Sequence, residues 1–124
     1  MLTTGVDILE LDRLKRVLDS WGQNFLDRIY TPKEQDYCKG RIPQLAARFA
    51  AKEAVMKALG TGIRGIGWKD IEVTRERGKA PQISLHDRAL ARANKIGVHQ
   101  VAISLSHSRD YALASVVMDL DENS

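Results

Sequence analysis

The chain has 124 residues, 44% apolar and 28% charged, with a formal net charge of +3. That size and composition describe one ordinary globular domain, able to bury roughly two-thirds of the surface its unfolded chain exposes. A lone cysteine, Cys38, excludes an internal disulfide and a multi-cysteine zinc site, and no apolar run approaches the ~20 residues of a membrane-spanning helix. The start, Met1-Leu2-Thr3-Thr4-Gly5, lacks the basic and apolar regions of a signal peptide, so a reducing cytoplasm is the expected compartment. A positive net charge suits an anionic partner: a nucleotide, a nucleic acid or an acidic protein.

Residues 2–9 read as a strand. From residue 10 to about 21, Leu11, Leu14, Leu18 and Trp21 share one stripe with Asp12, Arg13, Arg16 and Asp19 opposite, which predicts an amphipathic helix. Thr31-Pro32-Lys33-Glu34 forms a helix start: threonine caps, proline suits the first turn, and Glu34 completes a capping box. That helix runs to about Lys39 and stops at Gly40. A long helix is expected from near Pro43 to Leu59, terminated by Gly60 in the left-handed conformation, with a glycine-rich loop over residues 60–67. Residues 71–74 alternate like a strand, 77–81 form a turn, and 82–85 return. Asp87 is expected to cap a helix that ends at Ile96 before Gly97. Residues 100–106 and 111–120 complete the order as two strands joined by Ser108-Arg109-Asp110, with an acidic tail over 119–124 expected to fray. Together these elements predict a single compact α+β domain without repeats or linkers.

Two isolated acids stand out. Asp7 lies inside the apolar run Gly5-Val6-Asp7-Ile8-Leu9, and Glu53 interrupts the alanine-rich stretch that starts at Arg48 and Phe49. Helical spacing places Phe49, Glu53 and Lys57 one above another. Asp7 has a plain alternative, facing solvent from a strand, and Glu53 could simply pair with Lys57 on its own helix. The sharper reading is a magnesium site. That ion keeps several waters and takes one or two carboxylates plus phosphate oxygens, with Lys57 as a point charge for phosphate. Gly60-Thr61-Gly62-Ile63-Arg64-Gly65 matches G-x-G-x-x-G, but it follows a helix and precedes a strand, so it is not a dinucleotide fingerprint. His86 and His99 read as surface or turn residues. His107, among the hydroxyls of Ser104, Ser106 and Ser108 at a strand end, suits either a phosphate or a plain turn. The charges of the first helix read as its solvated face, or Arg13 and Arg16, with Arg28 and Arg48 elsewhere, as a patch for an acidic partner.

Four motifs in order carry a family resemblance over about residues 4 to 118. They are Gly5-Val6-Asp7-Ile8 with Glu10 and Arg13; Arg48-Phe49-Ala50-Ala51-Lys52-Glu53-Ala54 through Lys57-Ala58-Leu59-Gly60-Thr61-Gly62; Gly78-Lys79-Ala80-Pro81; and Ser104-Leu105-Ser106-His107-Ser108-Arg109-Asp110-Tyr111-Ala112. The chain resembles bacterial holo-acyl-carrier-protein synthase, the short type of 4′-phosphopantetheinyl transferase. The resemblance implies a mainly antiparallel sheet packed against a long central helix, and transfer of the phosphopantetheine arm of coenzyme A to a serine of apo acyl carrier protein. It implies Asp7 and Glu53 as magnesium ligands, Lys57 as the phosphate contact, and Gly60, Thr61, Gly62, Pro81, Ser106 and His107 around coenzyme A. Carrier docking falls to Arg13 and the first helix, with Arg16, Phe25, Arg28 and Arg48 in the same set. The family assembles as a homotrimer with sites at subunit boundaries. The serine proton would pass to Glu53, directly or through a metal-bound water, or to an acid of the carrier. The competing readings are a basic nucleic-acid-binding module, for which seven aromatics offer no stacking pattern, and a trimeric interaction protein without activity.

Overall fold

Strict alternation in the first ten residues builds a strand with two different faces, and the rest of the domain is arranged around it. The computed structural model describes residues 1–62 and 64–121. Ile63 of the glycine-rich loop and residues 122–124 of the tail lie outside the described residues. In chain order the elements are β1 (Leu2–Glu10), α1 (Leu11–Trp21), α2 (Gln23–Ile29), α3 (Pro32–Cys38), α4 (Ile42–Leu59), a short 3₁₀ turn (Trp68–Asp70), β2 (Ile71–Thr74), β3 (Gln82–Leu85), α5 (Asp87–Ile96), β4 (Val98–His107) and β5 (Tyr111–Leu120). The main sheet has the order β1-β5-β4, all antiparallel, and β2 and β3 form a separate hairpin.

The long helix α4 packs across the inner face of the main sheet, where Ala114, Val116 and Met118 of β5 are fully buried. Its own alanines, Ala50, Ala51, Ala54 and Ala58, let other elements approach it closely from several sides. The closest approach is at Gly5, where an added Cβ would lie 1.9 Å from the Ala54 carbonyl oxygen and 3.2 Å from the Ala58 nitrogen. Gly5→Ala must therefore push β1 off α4. The expected cost is about 1–3 kcal/mol, the range for overpacking, read as a lower urea midpoint. Asp7 should be displaced with it, because it shares the inward face of β1 with Gly5.

The capping box forms: Glu34 N donates to Thr31 Oγ1 (3.2 Å), and Thr31 N donates to Glu34 Oε1 (2.9 Å). Glu34 does more than cap. Its side chain and that of Lys52 in α4 are both 0% exposed, and Lys52 Nζ donates to Glu34 Oε1 at 2.8 Å. Lys52 also donates to the carbonyls of Trp68 and Ile71, while Glu34 Oε2 accepts from Val73 N at 2.9 Å. One buried ion pair thus joins α3, α4, the 3₁₀ turn and β2. Burial lowers the Lys52 pKa, and the Glu34 carboxylate opposes that.

Three local expectations are corrected. The short helix α2 was not expected, since a seven-residue helix beginning after Gly22 offers too few turns for a period to show. Asp87 does not cap α5: His86 occupies that position without a side-chain cap bond, and Asp87 is the first helical residue, at φ 48°. Asp119 and Leu120, expected to fray, instead end β5, and Asp121 N donates to Gly97 O at 2.8 Å; the rest of the expected fray lies outside the described residues.

Candidate active site

Asp7 faces α4 rather than solvent, because it shares the inward side of β1 with Gly5 and Leu9. There it meets the last turns of the helix. Lys57 Nζ donates to Asp7 Oδ1 at 3.0 Å and to the Val6 carbonyl at 2.8 Å. The lysine is therefore tied to the strand and makes no ion pair with Glu53 on its own helix. Glu53 stands beside Asp7. Burial is the main reason its pKa is raised, the neighbouring Asp7 carboxyl raises it further, and the charges of Lys57 and Arg13 act against both.

A glutamate whose proton affinity is raised by burial and by a second carboxylate beside it marks a place that can receive positive charge. The donors are all oxygen, and no group of three or more His, Cys, Asp or Glu side chains suited to a metal exists among the described residues. That sparse set fits magnesium, which retains water and shares its shell with phosphate, and it does not fit zinc. The acids open on a cleft of about 220 Å³ that Arg13 of α1, Phe25 of α2 and Phe49 of α4 also line. Phe25 stacks on Phe49 (6.2 Å between centroids) and Phe49 on Trp68 (5.0 Å), giving the cleft an apolar wall. Beyond Phe25 a second groove of about 500 Å³ runs between Trp21 and Arg28. Arg16 pairs with Asp12 on the exposed side of α1 at 3.3 Å.

The glycine turn directly follows Lys57. Gly60 and Gly62 both take positive φ, 75° and 59°, which is why glycine is needed at each. The remaining candidates lie elsewhere in the chain. Pro81 sits in the connection between β2 and β3, outside the Asp7–Glu53 cleft. Ser106 and His107, at the end of β4, line a separate pocket of about 80 Å³ together with Tyr37, Arg48 and Arg75.

Arg48 is the largest departure from the sequence reading. It is not on the surface with Arg13, Arg16 and Arg28 but 3% exposed, its guanidinium 4.3 Å from the Tyr37 ring centroid. Nη1 donates to Gln44 O at 3.3 Å, while Nε and Nη2 have no hydrogen-bond partner. A buried guanidinium with two idle donors beside an imidazole and a hydroxyl is built for an anion. The signal in the sequence was its place one turn before Lys52 in an alanine-rich helix that buries most of its surface.

Comparison with known proteins gives one answer. Residues 3–116 match the 4′-phosphopantetheinyl transferase superfamily. A holo-[acyl-carrier-protein] synthase of Dehalococcoides mccartyi is 48% identical over 117 residues, covering 94% of this chain and 98% of that relative. Another, from Moorella thermoacetica, is 47% identical over 122 residues, covering 96% and 94%. The fold superposes on the crystal structure of Helicobacter pylori holo-[acyl-carrier-protein] synthase in complex with coenzyme A with a TM-score of 0.85, at 31% identity and with 94% and 99% of the two chains covered. The Neisseria meningitidis enzyme gives 0.84 at 37% identity, with 94% and 97% covered. The carboxylate pair on β1 and α4, the fold that brings it together and the likeness along nearly the whole sequence agree: the chain belongs to the 4′-phosphopantetheinyl transferase superfamily, among its holo-[acyl-carrier-protein] synthases.

Proposed function

We propose that the chain transfers the 4′-phosphopantetheine group of coenzyme A to a serine of apo acyl carrier protein in a magnesium-dependent reaction, releasing adenosine 3′,5′-bisphosphate. The observation that carries this reading is the Asp7–Glu53 carboxylate pair with Lys57 bound to it. The serine oxygen forms a bond to the phosphorus that bears pantetheine, and the bond from that phosphorus to the bridging diphosphate oxygen breaks. Asp7 and Glu53 would hold magnesium, which when bound neutralises diphosphate charge and makes the transferred phosphorus more electrophilic. Lys57, about half exposed, can place its ammonium on a phosphate oxygen. Glu53 or an acid on the carrier protein would receive the serine proton.

Coenzyme A carries a further phosphate on its ribose, and the Arg48 pocket with Ser106 and His107 offers idle donors for it. That pocket and the carboxylate cleft are separate within one chain, which favours a site assembled from neighbouring copies. The outer face of the main sheet supports the same conclusion. Leu2, Val6 and Ile8 of β1 and Leu113 and Val117 of β5 form an exposed apolar row of the kind that subunit interfaces cover, and a homotrimer is the assembly proposed. Arg13, Arg16 and Arg28, with Phe25 between them and the cleft, form a basic-rimmed face for the acidic carrier.

The test is the intact mass of apo acyl carrier protein after incubation with this chain and coenzyme A, with magnesium or with a chelator. A gain of one phosphopantetheine group with magnesium and none with chelator is expected. Transfer that persists in chelator removes the metal from the reading, and no gain with any of several carriers removes the reaction.

A further inference from the structure

The last turn of α4 is closed from two directions. Within its own segment, Gly60 N donates to Lys57 O (3.0 Å) and Thr61 N to Met56 O (3.2 Å), the two bonds of a Schellman turn. The Leu59 carbonyl falls outside that pattern. It accepts instead from Arg92 Nε of α5, at 3.0 Å. A guanidinium there also faces the negative end of the helix dipole. Its Nη2 lies 3.4 Å from the position a Cβ on Gly60 would take, so the planar group lies against the glycine turn itself.

This contact matters because of what it restrains. Two glycines within three residues, both at positive φ, give residues 60–62 little stiffness of their own. A turn that wanders when free must be ordered when ligand binds, and that ordering subtracts from affinity. An anchor reaching in from α5 removes part of the cost before ligand arrives.

We infer that Arg92 is a positioning residue for coenzyme A: its hydrogen bond to Leu59 O fixes the Gly60–Gly62 turn and the end of the helix that carries Lys57. The inference rests on the reading above in which that turn lines the coenzyme A pocket. Arg92 touches none of the reacting atoms, and its contribution is expected in coenzyme A binding rather than in the chemical step.

Two variants of matched length separate the hydrogen bond from the charge. In Arg92→Gln the amide nitrogen stands as many bonds from Cα as arginine Nε, so it can still donate to Leu59 O. Arg92→Met keeps the length and the helix propensity but donates nothing. Steady-state kinetics should show the KM for coenzyme A raised about tenfold in Arg92→Met, with kcat and the carrier-protein KM within about twofold of wild type. Arg92→Gln should remain close to wild type, and equilibrium binding of coenzyme A should rank the three proteins in the same order. An active, folded Arg92→Met with an unchanged coenzyme A KM overturns the inference. Equal impairment of Arg92→Gln overturns it too, because the charge or the terminal nitrogens would then be the working feature. A wild-type chain that transfers nothing to any carrier overturns the parent reading instead, so the two failures are distinguishable.

Discussion

Glu53→Gln is expected to abolish transfer and, in the absence of metal, to raise the melting temperature at neutral pH. Burial and the adjacent Asp7 carboxyl raise the Glu53 pKa in the folded protein above its value in the unfolded chain. For a group shifted in that direction, the stabilising contribution is complete below the ordinary glutamate range and disappears as pH rises through the raised value. At neutral pH the folded protein therefore carries a carboxylate that the unfolded chain accommodates more easily. Glutamine removes the charge and keeps the shape. Under the proposed function, turnover should fall about a thousandfold or more, because the change removes a proposed metal ligand and a candidate proton acceptor. Melting curves at pH 5 and pH 8 should show the gain from Glu53→Gln growing with pH. Added magnesium should raise the wild-type melting temperature but not that of the variant, since only a ligand bound to the folded state shifts the equilibrium. Near-wild-type turnover in Glu53→Gln would remove this residue from the chemistry. A lower melting temperature at pH 8 would show that the carboxylate is a net stabiliser despite its burial and the neighbouring Asp7.

Lys52→Met should be the most damaging single change to the fold, at about 3–5 kcal/mol, the cost of stranding one member of a buried ion pair. The Glu34 carboxylate would lose its ion-pair partner in a site closed to solvent, and the carbonyls of Trp68 and Ile71 would lose their shared donor. Adding Glu34→Gln to Lys52→Met should recover roughly 1–2 kcal/mol, because the neutral amide oxygen can still accept from one of the two backbone donors, Thr31 N or Val73 N, without a stranded charge. Urea unfolding of the two variants checks both figures. A loss under about 1 kcal/mol in Lys52→Met would mean that the interior reorganises around Glu34. Transfer activity per folded molecule should survive better than stability, since Lys52 does not line the cleft.

Adjacent residues on α4 show what a sequence discloses and what it withholds. Asp7, Glu53 and Lys57 are legible because an acid inside an apolar period has to answer for its burial, and the structure brings those three together. Which acid the lysine would choose was not legible. Lys57 reaches across to β1 rather than along its own helix, a choice set by the close approach at Gly5. Lys52 and Glu53 look equivalent in the alanine-rich helix, yet one is entombed under α3 and the other opens on the cleft. A helix covered on several sides has no apolar stripe to tell them apart. The same absence of a stripe hid the burial of Arg48 beneath Tyr37. Where a stripe or a cap exists, as at Leu11, Leu14 and Leu18 of α1 and at Thr31–Glu34, sequence and structure coincide. Trp21, read as the end of that stripe, is instead exposed, because it stands at the last position of the helix.

Because β1 gives Asp7 to α4 and the neighbouring Val6 and Ile8 to the outer apolar row, its two faces are committed at successive residues. Inserting or deleting one residue between Asp7 and the start of α1 at Leu11 would exchange the faces, swinging the carboxylate outward and driving an aliphatic side chain against the helix. That stretch therefore accepts substitution more readily than a change of length. The link between α1 and α2 is under no such restraint, since Gly22 bends there at the surface beside the exposed Trp21. The surface beside the Trp21–Arg28 groove can gain or lose residues without touching the core, while the number of residues from Asp7 to α1 is fixed by the two faces of β1.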